Sequence, residues 1–180
     1  MILTDGEIMR AIEDGEIVVS PFDRKCLGTN SYDVHLGDTL AVYTSRVLDS
    51  RRKNEVKIIK IPSEGLVLKP NELYLGVTKE YTETHSFVPF IEGKSSVGRL
   101  GIDIHATAGK GDIGFCNHWT LEISVKRPVR IYPGMPIGQL IYFRVAARAL
   151  VPYNKKESAH YTAYSDVPVA SNLWRSFHGR

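Results

Sequence analysis

Between residues 17 and 77 the chain repeatedly gathers a few apolar residues and then breaks off. Ile17–Val19, Leu40–Tyr43, Val56–Ile59, Gly65–Leu68 and Leu73–Val77 are all too short for stable helices, and Gly, Pro, Asn or Asp separates them. Almost no helical periodicity accompanies them. Such a chain buries its apolar side chains by stacking or curling strands, which predicts a sandwich, jelly roll or barrel. Length sets the scale: 180 residues, 43% of them hydrophobic, suffice for one core. No internal repeat, low-complexity tract or linker divides the chain. Residues 51–54, Arg-Arg-Lys-Asn, read as a solvated hairpin tip.

One helix is expected ahead of the strands. Thr4 and Glu7 have the spacing of a capping box, Ile8 and Ile12 recur at helical spacing, and Gly15 can end the helix in the left-handed conformation.

Functional side chains concentrate between Ile91 and Val125. Lys94, Ser95, Ser96 and Arg99 fall within one turn after Pro89 and Gly93, predicting a short helix that starts beside an anion. Free N–H groups, hydroxyls and fixed positive charge suit phosphate oxygens. On a helix Ser95 and Arg99 share a face. Further on, Asp112 sits in a glycine-rich turn. In Trp119–Val125 strict alternation puts Trp119, Leu121, Ile123 and Val125 on one face, and Thr120, Glu122 and Ser124 on the other. Read singly, Ser95 and Ser96 could cap a structural turn and Glu122 could face solvent; it is the clustering that favours a site.

Composition narrows the partners. A net charge of +3 without a long basic run leaves no nucleic-acid footprint, and no apolar stretch reaches the length of a membrane span. The N-terminus has no signal-peptide pattern, and two cysteines, Cys26 and Cys116, make no disulfide framework, so a cytoplasmic protein with reduced thiols is expected.

Eight groups of residues extend the pattern over nearly the whole chain: Met1–Asp5, Pro21-Phe22, Ser31–Gly37, Gly93–Gly101, His105–Ala108, Asp112–Phe115, Thr120–Glu122 and Pro133–Leu140. Together they resemble the trimeric dCTP deaminase family, a branch of the dUTPase-like superfamily. The resemblance implies a mainly β fold: a dUTPase-like distorted β-barrel or jelly roll, with a short N-terminal helix and a small helix in the nucleotide-binding loop. It implies one domain over residues 1–180, with 153–180 as a C-terminal tail or lid.

The resemblance also assigns roles. Glu122 matches the catalytic glutamate that takes a proton from the attacking water. Ser95 and the Ala108 carbonyl match the groups orienting that water, and Arg99 the arginine stabilising the polarised intermediate. Lys94, Ser95, Ser96, Val97, Gly98 and Arg99 correspond to the nucleotide-binding loop. Asp112 corresponds to the deoxyribose contact, Thr120 and Leu121 to backbone contacts with the base, and Tyr153 to a C-terminal phosphate contact. His160 and Tyr164 fall where the lid would carry other polar groups, and Gln139 lies in the Ile-Gly-Gln-Leu motif. Implied partners are dCTP as substrate, Mg2+ carried by the triphosphate, dTTP as feedback inhibitor, and two further copies of the chain in a homotrimer with sites between subunits.

The implied reaction is hydrolysis of dCTP to dUTP and ammonia without zinc. The zinc deaminase pattern, His-x-Glu followed by Pro-Cys-x-x-Cys, is missing; neither cysteine belongs to a Cys-x-x-Cys pair, and His105 and His118 read as core or rim residues. A metal-free route needs a general base and donors to the charge developing on the ring. The alternative is a bifunctional enzyme that also removes pyrophosphate, giving dUMP. Thr107-Ala108-Gly109 and Gln139 favour it, whereas Lys110-Gly111 stand where an aromatic–aliphatic pair would wall a second water. A plain dUTPase is disfavoured by a tail lacking a glycine-rich motif. A silent nucleotide-binding regulatory module is disfavoured by the presence of Ser95, Arg99 and Glu122 together.

Overall fold

Thr4 opens helix α1 (Asp5–Glu13), its N–H donating to the Glu7 carboxylate at 3.2 Å. The helix ends in a Schellman motif. Gly15, at φ 72°, donates to the Ile12 carbonyl, and Glu16 donates to that of Ala11. Ile8 and Ala11 are buried, which fixes α1 on the body of the protein.

The computed structural model describes residues 1–178; Gly179 and Arg180, the last two of the predicted domain and tail, lie outside the described residues. Ten strands follow α1: β1 (Ile17–Ser20), β2 (Tyr32–Tyr43), β3 (Val56–Lys60), β4 (Leu66–Leu68), β5 (Tyr74–Thr84), β6 (Phe87–Gly93), β7 (Ile102–Asp103), β8 (Cys116–Val125), β9 (Val129–Ile131) and β10 (Pro136–Arg144). A one-turn helix, α2 (Ser95–Gly98), separates β6 from β7. Each of the five apolar runs read from the sequence lies in or overlaps a strand. Residues 51–54 lie in the turn between β2 and β3, with Arg51, Arg52 and Lys53 exposed.

Eight strands make one sheet in the order β6-β10-β2-β5-β8-β7, with β1 added to β5 and β3 to β2; β4 and β9 form a separate ribbon. All pairings are antiparallel. The segment between β7 and β8 folds back onto β6, the opposite end of this order. Phe90 bridges to Lys110, Ile91 donates to the Gly109 carbonyl at 2.7 Å, and Gly111 donates to that of Pro89 at 2.8 Å. This seam curls the sheet into the distorted barrel expected.

Register breaks in β2, between Leu36 and Leu40, and in β5, between Val77 and Tyr81, bend the wall. Val34, Leu36, Leu40, Ile123, Ile137 and Leu140 are wholly buried inside it. Each such side chain contributes about 1.5–3 kcal/mol of burial, enough to hold the register that aims the polar faces outward. From Tyr153 the chain runs as a strandless tail with two 3-10 turns, Tyr153–Lys155 and Leu173–Phe177.

Candidate active site

Strand β8 alternates without a break, its odd-numbered side chains from Asn117 to Val125 buried and its even-numbered ones half-buried. Glu122 thus stands on the polar face between Thr120 and Ser124, as its sequence predicts. The Glu122 N–H extends the β7–β8 ladder by donating to Ile104 at 2.9 Å. Two residues further on, the Ala106 N–H donates to Glu122 Oε2 at 3.0 Å. One carboxylate oxygen is therefore held by the backbone, while Oε1 has no hydrogen-bond partner among the described residues.

Ala108 lies in the same segment, just before the seam. β6, the other side of that seam, leads directly through Gly93 into α2. Lys94 is the N-cap of α2 and Arg99 its C-cap, the Arg99 N–H donating to the Ser95 carbonyl at 3.1 Å. Val97 turns inward and is buried; Ser95, Ser96, Gly98 and Arg99 face outward. The side chains of Ser95, Ser96 and Arg99 make no hydrogen bond or ion pair among the described residues, so they remain available to a ligand.

Lys94 is not free in this way. Its ammonium pairs with Asp33 of β2, both side chains about a quarter exposed. Asp33 lies opposite Gln139 of β10, which in turn lies opposite Glu92 of β6, forming a polar row across three strands. Gln139 Oε1 accepts from the Ser31 hydroxyl at 3.1 Å, and His105 Nε2 lies 3.4 Å from Glu92 Oε2. Asp33 lies within the Ser31–Gly37 group, where no functional role is expected of it from sequence. Its signal was there: Tyr32, Val34 and Leu36 alternate as core, which puts Asp33 and His35 on the polar face.

Asp112 is ion-paired with Lys110, Nζ to Oδ1 2.7 Å. Gly111 is stitched to Pro89, and a Cβ there would lie 2.6 Å from Trp119 Cη2 and 2.8 Å from Pro89 Cγ. The glycine is a packing requirement, since only a bare Cα lets the seam lie on the Trp119 ring.

The tail packs against β8. Asn117 holds both the Ala163 carbonyl and the Ser165 N–H, and Val169 donates to Thr120 Oγ1 at 3.1 Å. Leu121, between the polar positions, is buried and paired with Gly76. Tyr164 rests against Tyr81 and His118, with ring centroids 6.1 and 5.8 Å away. The Tyr153 hydroxyl accepts from the Tyr161 N–H at 3.0 Å, and burial raises its pKa above the ordinary value, so the phenol stays protonated at neutral pH. His160 Nε2 lies 3.3 Å from Ser176 Oγ. Tyr153, His160 and Tyr164 are thus engaged within or under the tail and are not grouped with α2.

A cavity of about 490 Å³ opens at the two register breaks, lined by Gly37, Val77, His118, Gly134 and Asp166 among others. None of Ser95, Arg99, Ala108 or Glu122 lines it.

Residues 2–145, containing α1, all ten strands, α2 and the loop above Glu122, match the family model described as dCTP deaminase-like. The chain belongs to the dCTP deaminase-like family. It is 50% identical over 145 residues to a Leptospira biflexa protein named "dCTP deaminase, dUMP-forming", covering 81% of this chain and 83% of that one. A Hathewaya histolytica protein of the same name is 47% identical over 177 residues, 98% of this chain and 99% of its own, so that likeness extends through the tail. A third, from Clostridium beijerinckii, is 49% identical over 142 residues, 79% of this chain and 82% of that one. Among solved structures, the 2'-deoxycytidine 5'-triphosphate deaminase from Agrobacterium tumefaciens superposes with a TM-score of 0.64 at 21% identity, over 80% of this chain and 48% of that one. That likeness establishes a shared fold. Membership of the family agrees with the mainly β barrel. Among the described residues, no helix is long and apolar enough to cross a membrane.

Proposed function

We propose that this protein is a hydrolase that deaminates dCTP: dCTP and water give dUTP and ammonia. The observation that carries this reading is the state of Glu122, with one carboxylate oxygen fixed by the Ala106 amide and the other free on a polar strand face. In this reading Oε1 takes a proton from water as the water adds to C4 of the cytosine, and the proton passes to the departing amine. Ser95 Oγ and the Ala108 carbonyl orient the water. The Arg99 guanidinium faces the charge that develops on the ring, acting in a site preorganised before substrate arrives.

Lys94, Ser95, Ser96, Val97, Gly98 and Arg99 supply hydroxyls, amides and positive charge to the triphosphate, which enters as its Mg2+ complex. Lys94 must leave Asp33 or contact the phosphates from within that pair. Asp112 receives the deoxyribose hydroxyl, and the backbone of Thr120 and Leu121 the base edge. Gln139, Tyr153, His160 and Tyr164 contact the nucleotide once the tail closes on it. Deamination in this scheme uses no transition metal.

Two products remain to be weighed. Release of dUTP ends the reaction after one water; a second water attacking the α-phosphorus would give dUMP and pyrophosphate. The names of the relatives at 47–50% identity favour the second. So does the packed Gly111, because a firm seam holds Asp112 and its neighbours well enough to position another water. We therefore infer deamination followed by pyrophosphate release at the same site.

In this reading the sites are completed between copies of the chain in a homotrimer, as the resemblance to the family implies. A cytoplasmic enzyme with dTTP as feedback inhibitor completes the proposal. The test is ammonia release from Mg-dCTP, with nucleotides separated at early times and dTTP added in a parallel series. No ammonia above the uncatalysed background would defeat the assignment.

A further inference from the structure

At the far end of β8 from Glu122, three side chains of different chemistry converge outside the site described above. Glu83 of β5 and Cys116 of β8 are direct cross-strand partners, and His85 follows Glu83 two residues on, just past the end of β5. Glu83, His85 and Cys116 each bring a donor atom within 4.8 Å of the other two. The backbone beneath is fixed: Thr84 donates to the Phe115 carbonyl, Gly114 donates to that of Thr84, and His85 donates to that of Glu16 at 3.0 Å.

The electronic arrangement is equally specific. Glu83 Oε1 accepts from the Tyr81 hydroxyl at 2.8 Å, which turns Oε2 toward His85 Nε2 at 2.9 Å. A carboxylate held by an outer partner in this way presents its second oxygen at a defined angle. Cys116 Sγ approaches only two weak partners, the Gly114 carbonyl at 3.5 Å and Asn154 Nδ2 at 4.0 Å. His85 is exposed while Glu83 and Cys116 are half-buried, so an ion can enter from solvent and meet all three.

We propose that Glu83, His85 and Cys116 form a binding site for a borderline-soft divalent cation of the Zn2+ class. One thiolate, one imidazole and one carboxylate are the donor types that Zn2+ takes at about 2.0–2.3 Å, with a fourth tetrahedral position left to water. Hard cations such as Mg2+ seek oxygen ligands and disfavour the sulfur. On binding, the Cys116 thiol gives its proton to solvent as the sulfur–metal bond forms, and the imidazole exchanges its hydrogen bond with Glu83 for the ion. Cys116 and Glu122 are six positions apart on β8, roughly 20 Å along a strand, so this ion takes no part in deamination. Its effect is structural. Asn154, against the thiol, belongs to the 3-10 turn that starts the tail, so the loaded site pins the root of the tail to the β5–β8 edge.

The test uses the full chain, stripped with chelator and desalted. Co2+ is titrated while thiolate-to-cobalt charge-transfer absorption is followed, and Zn2+ is then added as competitor. One equivalent of Co2+ should produce the band and Zn2+ should abolish it. Cys116→Ser should remove the band, Cys26→Ser should keep it, and His85→Gln, at an exposed position that leaves the fold intact, should weaken binding by about tenfold or more. A wild-type protein without the band, or a His85→Gln protein that binds Co2+ as tightly as wild type, would overturn the proposal.

Discussion

Glu122 and Ala106 are joined by a single hydrogen bond, the Ala106 amide to Glu122 Oε2 at 3.0 Å. A backbone donor survives any change of the Ala106 side chain except to proline. The bond leaves Oε1 as the proton acceptor and makes the first prediction direct. Glu122→Gln can still accept from Ala106 through its amide oxygen but cannot take a proton from water. Ammonia release should fall about a hundredfold to ten-thousandfold while nucleotide binding, measured by calorimetry, stays within a few-fold. A variant with near-normal turnover would remove Glu122 from the mechanism.

The product comes next. With Asp112 held by Lys110 and Gly111 packed against Trp119, dUMP and pyrophosphate should appear in step with ammonia at early times. Chromatography of quenched samples checks this. Accumulation of dUTP to the full extent of ammonia release would show that the reaction stops after one water.

Gly111→Ala tests the seam itself. The added methyl meets Trp119 and Pro89, both too constrained to yield without shifting the strand. Overpacking of this kind costs about 1–3 kcal/mol, read from the midpoint of urea unfolding at unchanged slope. Activity should fall further than stability, because the displaced segment carries Ala106, Ala108 and Asp112.

Alkaline pH should unfold the barrel. Burial pushes the Tyr32 phenol up to about 12, and burial raises Tyr81 and Tyr142 as well. A phenol whose folded pKa lies above its unfolded value, near 10, contributes its full share of stability below pH 10. That share is lost as pH rises through the folded pKa. Denaturant midpoints should therefore be insensitive to these groups at neutral pH and fall between about pH 10 and 12. Tyr32→Phe should flatten part of that alkaline limb. It should also cost about 1 kcal/mol at neutral pH, because the Asp23 N–H donates to this hydroxyl at 2.8 Å.

Metal dependence separates the two proposed ions. Protein stripped by chelator and resupplied with Mg2+ alone should release ammonia from dCTP at the untreated rate. Activity that returned only with Zn2+, in wild type and in Cys116→Ser alike, would mean that the ring is attacked by a different chemistry.

Local patterns were legible in the sequence wherever neighbours along the chain determine them. Thr4 and Glu7 predicted the start of α1, Gly15 its end, and the alternation from Trp119 to Val125 both faces of β8. Contacts between distant residues left no such trace. Lys94 meets Asp33 across 61 positions and Ser31 meets Gln139 across 108, and no periodicity encodes either. Glu83 and Cys116 become partners only through the β5–β8 register, so a search for close ligand spacing passes over them. The packing role of Gly111 is hidden for the same reason, because nothing near it along the chain announces the Trp119 ring beneath it.

The seam between β6 and residues 109–111 has a kinetic meaning. It is a narrow joint in the wall, a single bridge made by two backbone hydrogen bonds, and the residues just before it and just after it are the ones assigned to water and sugar. A transient opening there disassembles the chemistry before it exposes the core. The exchange rates of the Ile91 and Gly111 amides should therefore rise as turnover falls across variants whose global stability is unchanged.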